Sequence, residues 1–224
     1  ELIVSKLCVK EYGISSFINS HLSEYKTLLQ RHFPSQWQSI LSLAYGRLVH
    51  QSALKNMEFH YHHSFLSEEY PNLSLSPKTL TGLLREIGVN RNSITSFFKE
   101  FSKAQDNIIF DGTDLLSSSH KMDVAKLSKT KSGSFDTMAN IMFIFSVGLQ
   151  LPVYYRVLPG SIKDIKSFNL CLKESQIKDA VIIADKGFYS ESNVQQIHQE
   201  QLKFIIPLRR NNSLINYENT KTSD

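Results

Sequence analysis

The stretch 180–185, AVIIAD, decides the fold class. Small and branched apolar residues run without a polar break, stop at Asp185 and give way to Lys186-Gly187-Phe188-Tyr189. A short continuous apolar run bounded by turn residues is a strand, and one expected to be buried on both faces. Its counterpart is 107–111, NIIFD, in which Asp111 is followed by Gly112-Thr113. Ligands of open α/β sheets gather beyond the carboxyl ends of the strands. An acid at that end can point out of the sheet while its strand stays buried. Taken singly, each aspartate reads equally well as a turn or helix cap. If the two strands are neighbours, the carboxylates can share hard divalent cations such as magnesium. Gly112 and Gly187 leave room for a close backbone approach.

Outward from these two runs, 138–147 and 153–158 read as further strands, the second closed by Pro159-Gly160. A helical pattern over 165–172 is opened by Ser161 or Asp164. A second helix over 190–201 has Ser190 as its N-cap, and 204–206 is a last strand stopped by Pro207. The order is strand, strand, strand, helix, strand, helix, strand, which is a mixed α/β layer architecture. The polar stretch 117–134, SSSHKMDVAKLSKTKSGS, reads as a solvated loop. The sharper alternative is that Lys121, Lys126, Lys129 and Lys131 touch DNA phosphates.

Before Gln105 the texture is helical. Trp37, Ile40, Leu41, Ala44 and Leu48 form one apolar stripe, with Ser35 as its expected cap. Ser76-Pro77 opens another helix, with Leu80, Leu83, Leu84 and Ile87 as its apolar face. Gly88 is expected to end it in a left-handed conformation, with Val89 packing back. A second helix starts over 90–93 and carries Ile94, Phe97, Phe98 and Phe101. The pattern over 76–101 fits a helix-turn-helix, with Arg91 at the head of the helix that would enter a major groove. It fits a plain helical hairpin equally well. The domain division that follows is 1–105, all-helical, and 106–224, α/β.

The bulk properties exclude some classes. A chain of 224 residues with 41% hydrophobic content can bury a sizeable core, and its net charge of +4 is compatible with nucleic acid without demanding it. Cys8 and Cys171 lie in no CxxC pattern, so no disulfide framework or zinc site is suggested and a reducing intracellular compartment fits. The apolar stretch 141–153 is too short and broken to span a bilayer, and no signal peptide is visible. His60, His62 and His63 read as surface or packing residues, Asp114 as a turn cap, and Asp123 and Asp136 as solvated. Arg209 and Arg210 read either as DNA-backbone contacts or as part of a solvated tail.

The motifs FDGTDL at 110–115, LPGSIKD at 158–164 and IIADKGFYS at 182–190 resemble those of the DDE transposases of bacterial insertion sequences, in particular the family of insertion sequence four. The resemblance covers 107–208. It implies an RNase H-like mixed sheet flanked by helices, in which the first strand is central and the AVIIA strand lies beside it. It also implies metal-dependent DNA cleavage and strand transfer in cut-and-paste transposition. Asp111 and Asp185 would be two catalytic, metal-holding carboxylates of a two-metal site for Mg2+ or Mn2+. Lys186 would at most position phosphates, and Asp164 would cap a helix. The implied partner is double-stranded DNA, bound by a homodimer in the synaptic complex, in a bacterial cytoplasm at the nucleoid. The resemblance further requires a Glu preceded by Tyr-x2-Arg-x3, and no such pattern follows Asp185. The catalytic domain is therefore expected to be truncated before that Glu, and the chain alone to be inactive. Two other readings stay open: another RNase H-like nuclease, and a decayed or repurposed DNA-binding fragment.

Overall fold

The computed structural model describes residues 8–101, 106–119, 121–130, 133–162 and 164–216, the side chains of Asp164 and Ile165 excepted. The chain divides into two compact units, Glu1–Phe97 and Phe98–Asp224.

Unit 1 is helical. Its elements are α1 (Gly13–His21), α2 (Ser23–His32), α3 (Trp37–His50), α4 (Met57–His62), α5 (Leu66–Glu69), α6 (Pro77–Val89) and most of α7 (Arg91–Lys99). Burial follows the apolar stripes: Leu28 and Leu29 on α2, Leu41 and Tyr45 on α3, Met57 and Tyr61 on α4, Leu80 on α6 and Ile94 on α7 are all buried. A Cβ at Gly46 would lie 2.8 Å from the Met57 sulfur, so the Met57 side chain of α4 packs directly on α3 there.

The expected caps are partly met. Ser76 accepts from the Thr79 N–H, with Pro77 at the first helical position. Asn90 Oδ1 accepts from the Ser93 N–H at the start of α7. Three details differ from the sequence reading. α3 starts at Trp37 with no side-chain cap, so Ser35 does not serve as one. α6 runs through Gly88 to Val89 without a left-handed residue, and Asn90 alone makes the turn. Val89 and Leu84 are exposed, because the buried face of α6 is narrower than its leucine content suggests.

Unit 2 is a six-stranded sheet with two helices. The strands are β1 (Asn107–Leu116), β2 (Lys126–Lys129), β3 (Phe135–Ser146), β4 (Leu151–Pro159), β5 (Val181–Ala184) and β6 (Lys203–Ile205). α8 (Asp164–Ser175) joins β4 to β5, and α9 (Glu191–Gln199) joins β5 to β6. β3 is antiparallel to β1, and β4 and β2 are both antiparallel to β3. Met138 of β3 faces Leu116 and Lys126, while Ala139 faces Leu115 and Pro159. β2 and β4 therefore lie end to end along the edge of β3 remote from β1. On the other side β5 is parallel to β1, and β6 is parallel to β5. β1 is thus central with AVIIA beside it, the RNase H-like arrangement expected from the motifs.

β2 lies within the stretch read as a solvated loop. KLSK carries one apolar residue, so no local signal announces it, and its pairing to β3 makes the strand. β1 likewise runs five residues past Asp111 because β3 supplies a long antiparallel partner. The core lies on one face, where Phe168 and Cys171 of α8 and Ile197 of α9 cover Ile108, Phe110, Met142, Ile144 and Ile182. The other face keeps large apolar side chains exposed, among them Ile109, Phe143, Val157 and Ile205. β5 is consequently buried on one face only: Ile182 and Ala184 are buried, Val181 and Ile183 half-buried.

Candidate active site

Phe110 pairs with Ala184 in the last rung of the parallel β1–β5 ladder. The next residues on the two strands are Asp111 and Asp185. Asp111 stays inside β1, opposite Phe143 of β3, while β5 ends before Asp185, so both acids follow the last β1–β5 rung at its carboxyl end. Both are exposed and both line one cavity of about 450 Å³. β5 stops at Ala184 while β1 continues to Leu116. The notch left along β1 is where the cavity opens.

An aromatic cluster holds the two strand ends. Phe110, immediately before Asp111, packs on Phe168 of α8 with ring centroids 4.6 Å apart and on Phe188 at 5.3 Å. Phe188 closes the one-turn 3-10 helix Lys186–Phe188 that follows Asp185. All three rings are buried. The sequence thus surrounds each acid with anchors: an apolar strand before it and a turn or strand after it.

Capping would be the bland explanation of a strand-end aspartate, and Asp185 does not cap. The 3-10 helix that it precedes has no side-chain cap hydrogen bond; it is closed by the backbone, Phe188 N–H to the Asp185 carbonyl at 2.9 Å. Among the described residues, neither the Asp111 nor the Asp185 carboxylate accepts a hydrogen bond or joins an ion pair. Two exposed, uncommitted carboxylates just past the last rung that joins two adjacent strands are the donor set that a hard divalent cation takes, with water and phosphate oxygens completing its shell. The residues present fit such an ion. Among the described residues no third His, Cys, Asp or Glu joins them in a group that could hold a metal.

The rest of the cavity wall comes from both sides of β1. Gly112, Thr113 and Asp114 continue from Asp111; Ser128, Lys129 and Thr130 come from the end of β2; Gly160, Ser161 and Ile162 follow β4; Arg209 follows β6. Asp114, read as a turn cap, sits inside β1 opposite Asn140 of β3. Asn140 belongs to no motif and only interrupts an apolar strand, so sequence reading passes over it. Its Nδ2 donates to the Ile162 carbonyl at 3.3 Å, while its Oδ1 is buried without a partner. Two glycines mark close approaches. A Cβ at Gly112 would lie 2.7 Å from the Met142 sulfur, and one at Gly160 would lie 2.2 Å from the Met138 carbonyl oxygen.

The expected DNA contacts scatter. Lys129 lines the cavity. Lys121, Lys126 and Lys186 are exposed but do not line it, and Lys131 lies outside the described residues. Arg91 heads α7 in unit 1, half-buried. Asp164 opens α8, with its side chain outside the described residues. His60 stacks on His50 at 4.0 Å, and burial together with the neighbouring His50 and His63 lowers its pKa. Among the described residues no helix is long and apolar enough to cross a membrane.

The sequence model of the transposase DDE domain matches residues 103–223, which includes both aspartates. The chain belongs to the DDE transposase domain family. No curated protein matches it significantly. Two solved structures resemble this DDE domain protein at 12% identity. The piggyBac transposase synaptic complex with hairpin DNA has a TM-score of 0.42, covering 63% of this chain and 32% of that one. The Mos1 transposase paired-end complex with left transposon end has a TM-score of 0.30, covering 74% of this chain and 57% of that one. The chain therefore spans less than two thirds of either relative.

Proposed function

We propose that this protein cuts and joins DNA as the transposase of an insertion sequence of the insertion-sequence-four type, by a cut-and-paste route. The observation that carries the reading is the pair Asp111 and Asp185: adjacent strands, each acid just past their last shared rung, one cavity, no competing partner. Two carboxylates so placed would hold magnesium or manganese ions, which when bound activate an attacking oxygen and neutralise a leaving one in phosphodiester displacement. The chain's own contribution is position. The β1–β5 ladder fixes the spacing of the carboxylates, and the notch along β1 admits a DNA backbone. Water and then a freed 3′-OH would be the nucleophiles, attacking phosphorus in line with the leaving oxygen.

In this reading residues 1–105 form a helical DNA-binding domain, with α6 and α7 as a helix-turn-helix and Arg91 at its second helix. Residues 106–224 form the catalytic domain. Exposed Lys121, Lys126 and Lys186, and Lys131, would contact phosphates. Two DNA ends call for a homodimer, working at the nucleoid in the cytoplasm.

The test is Mg2+-dependent cleavage of plasmid DNA by the protein, beside its Asp111→Asn and Asp185→Asn variants. Both variants should lose cleavage and keep DNA binding; cleavage at the native rate by either refutes the assignment. Among the described residues no group of three His, Cys, Asp or Glu could hold a metal, which favours a second reading, a DNA-binding protein without catalysis. Strand transfer from a pre-cut end separates the two, and also separates a transposase from a simple nuclease.

A further inference from the structure

The cavity is not uniformly acidic. Lys129, the last residue of β2, and Arg209, two residues beyond Pro207, line it together with Asp111 and Asp185. Their arrival follows from topology. β6 is parallel to β5, so the chain leaving β6 emerges at the end of the sheet where Asp185 leaves β5. β2 runs antiparallel to β3, as β1 does, so its last residue also points toward the carboxyl end of β1. A turn closed by the Asn212 N–H on the Arg209 carbonyl at 2.9 Å fixes the backbone there. Among the described residues neither cation is in an ion pair, and neither pairs with the acids that share its cavity.

We propose that Lys129 and Arg209 together grip the DNA phosphate that lies over Asp111 and Asp185, as positioning residues for the phosphodiester to be cut. The inference rests on the reading of the two aspartates given above. A phosphodiester carries a negative charge and is repelled by the Asp111, Asp114 and Asp185 carboxylates, so a cavity that admits it needs cations on its other walls. The Arg209 guanidinium presents a planar fork suited to two phosphate oxygens at once, and Lys129 supplies a mobile point charge. The two come from opposite ends of the strand order, β2 beyond β3 and β6 beyond β5. A phosphate between them is therefore held across the mouth of the β1 notch, on the line where in-line attack needs it fixed.

The probe is a fluorescein-labelled 30-base-pair DNA duplex, titrated in EDTA with the full chain by anisotropy over a range of salt concentrations. Each phosphate contact contributes about 0.9 to the slope of log affinity against log salt. Arg209→Gln and Lys129→Gln should each lower that slope by about 0.9 and weaken binding about eightfold at 0.1 M salt. Arg209→Lys should restore most of the slope. Lys178→Gln is the control, because exposed Lys178 lies ahead of β5, at the opposite end of the sheet. Native slope and affinity in the Arg209 and Lys129 variants overturn the clamp, as does an equal loss in Lys178→Gln. Failure of the native chain to bind the duplex at all overturns both the clamp and the transposase reading.

Discussion

Replacing Phe168 with alanine should loosen both strand ends that carry the acids. Phe168 is fully buried, packs on Phe110 at 4.6 Å and lies 6.0 Å from Phe188, centroid to centroid. Phe110 and Phe188 in turn flank Asp111 and Asp185 in the chain. Truncating a buried phenylalanine removes its transfer free energy and leaves a cavity, together about 3–5 kcal/mol. The three rings wall one another on the helix-covered face of the sheet, so little is free to collapse into the gap. At 1.4 kcal/mol per tenfold, protection of β1 and β5 amides against hydrogen exchange should fall about a hundred- to several-thousand-fold. Exchange read by mass spectrometry is the suitable assay, because the single tryptophan, Trp37, lies in unit 1 and its fluorescence reports on the other unit. Phe168→Leu, which keeps most of the volume, should lose much less. A drop in β1 and β5 protection below about tenfold for Phe168→Ala, equivalent to about 1.4 kcal/mol, would refute the idea that this cluster anchors the site.

Gly160→Ala should destabilise unit 2 more than Gly112→Ala. The first Cβ meets the Met138 backbone carbonyl at 2.2 Å, the second a methionine side chain that can move; equal urea midpoints would contradict this. In unit 1, burial pushes the Glu11 carboxyl up, but hydrogen bonds from the Ser15 and Tyr45 hydroxyls and the Ile14 and Ser15 N–H groups outweigh it and hold its pKa low. A depressed carboxylate stabilises the fold above its unfolded pKa and loses that contribution as pH falls through the folded one. Thermal stability of unit 1 should therefore decline on acidification below the ordinary carboxylate range, and less steeply in Glu11→Gln; parallel curves would contradict the network.

Much of unit 2 is legible in its sequence because its central strands are continuous apolar runs, and such runs declare themselves without tertiary help. Asp111 and Asp185 stand out as acids ending those runs. Their adjacency does not follow from local pattern, since it depends on β5 pairing with β1 residues 74 positions earlier in the chain; the family motifs supply that link. β2 is illegible, for KLSK is polar and becomes a strand only against β3. Asn140 is hidden for the same reason: it is ordinary in its own segment and joins the cavity through strand order, while Arg209 reads in sequence as either a DNA contact or a tail residue and reaches the cavity only through β6. In α6 the glycine signal misled, because Gly88 tolerates helical geometry and Asn90 makes the turn instead.

The central claim is that Asp111 and Asp185 share one divalent-cation site. Titration of the native chain with Mn2+, followed by electron paramagnetic resonance of the free ion, tests it directly. The expected result is saturable binding in the native chain, weakened in Asp111→Asn, weakened in Asp185→Asn, and reduced to background when both are changed. Saturable binding that survives the double substitution unchanged would place the metal elsewhere and contradict the account.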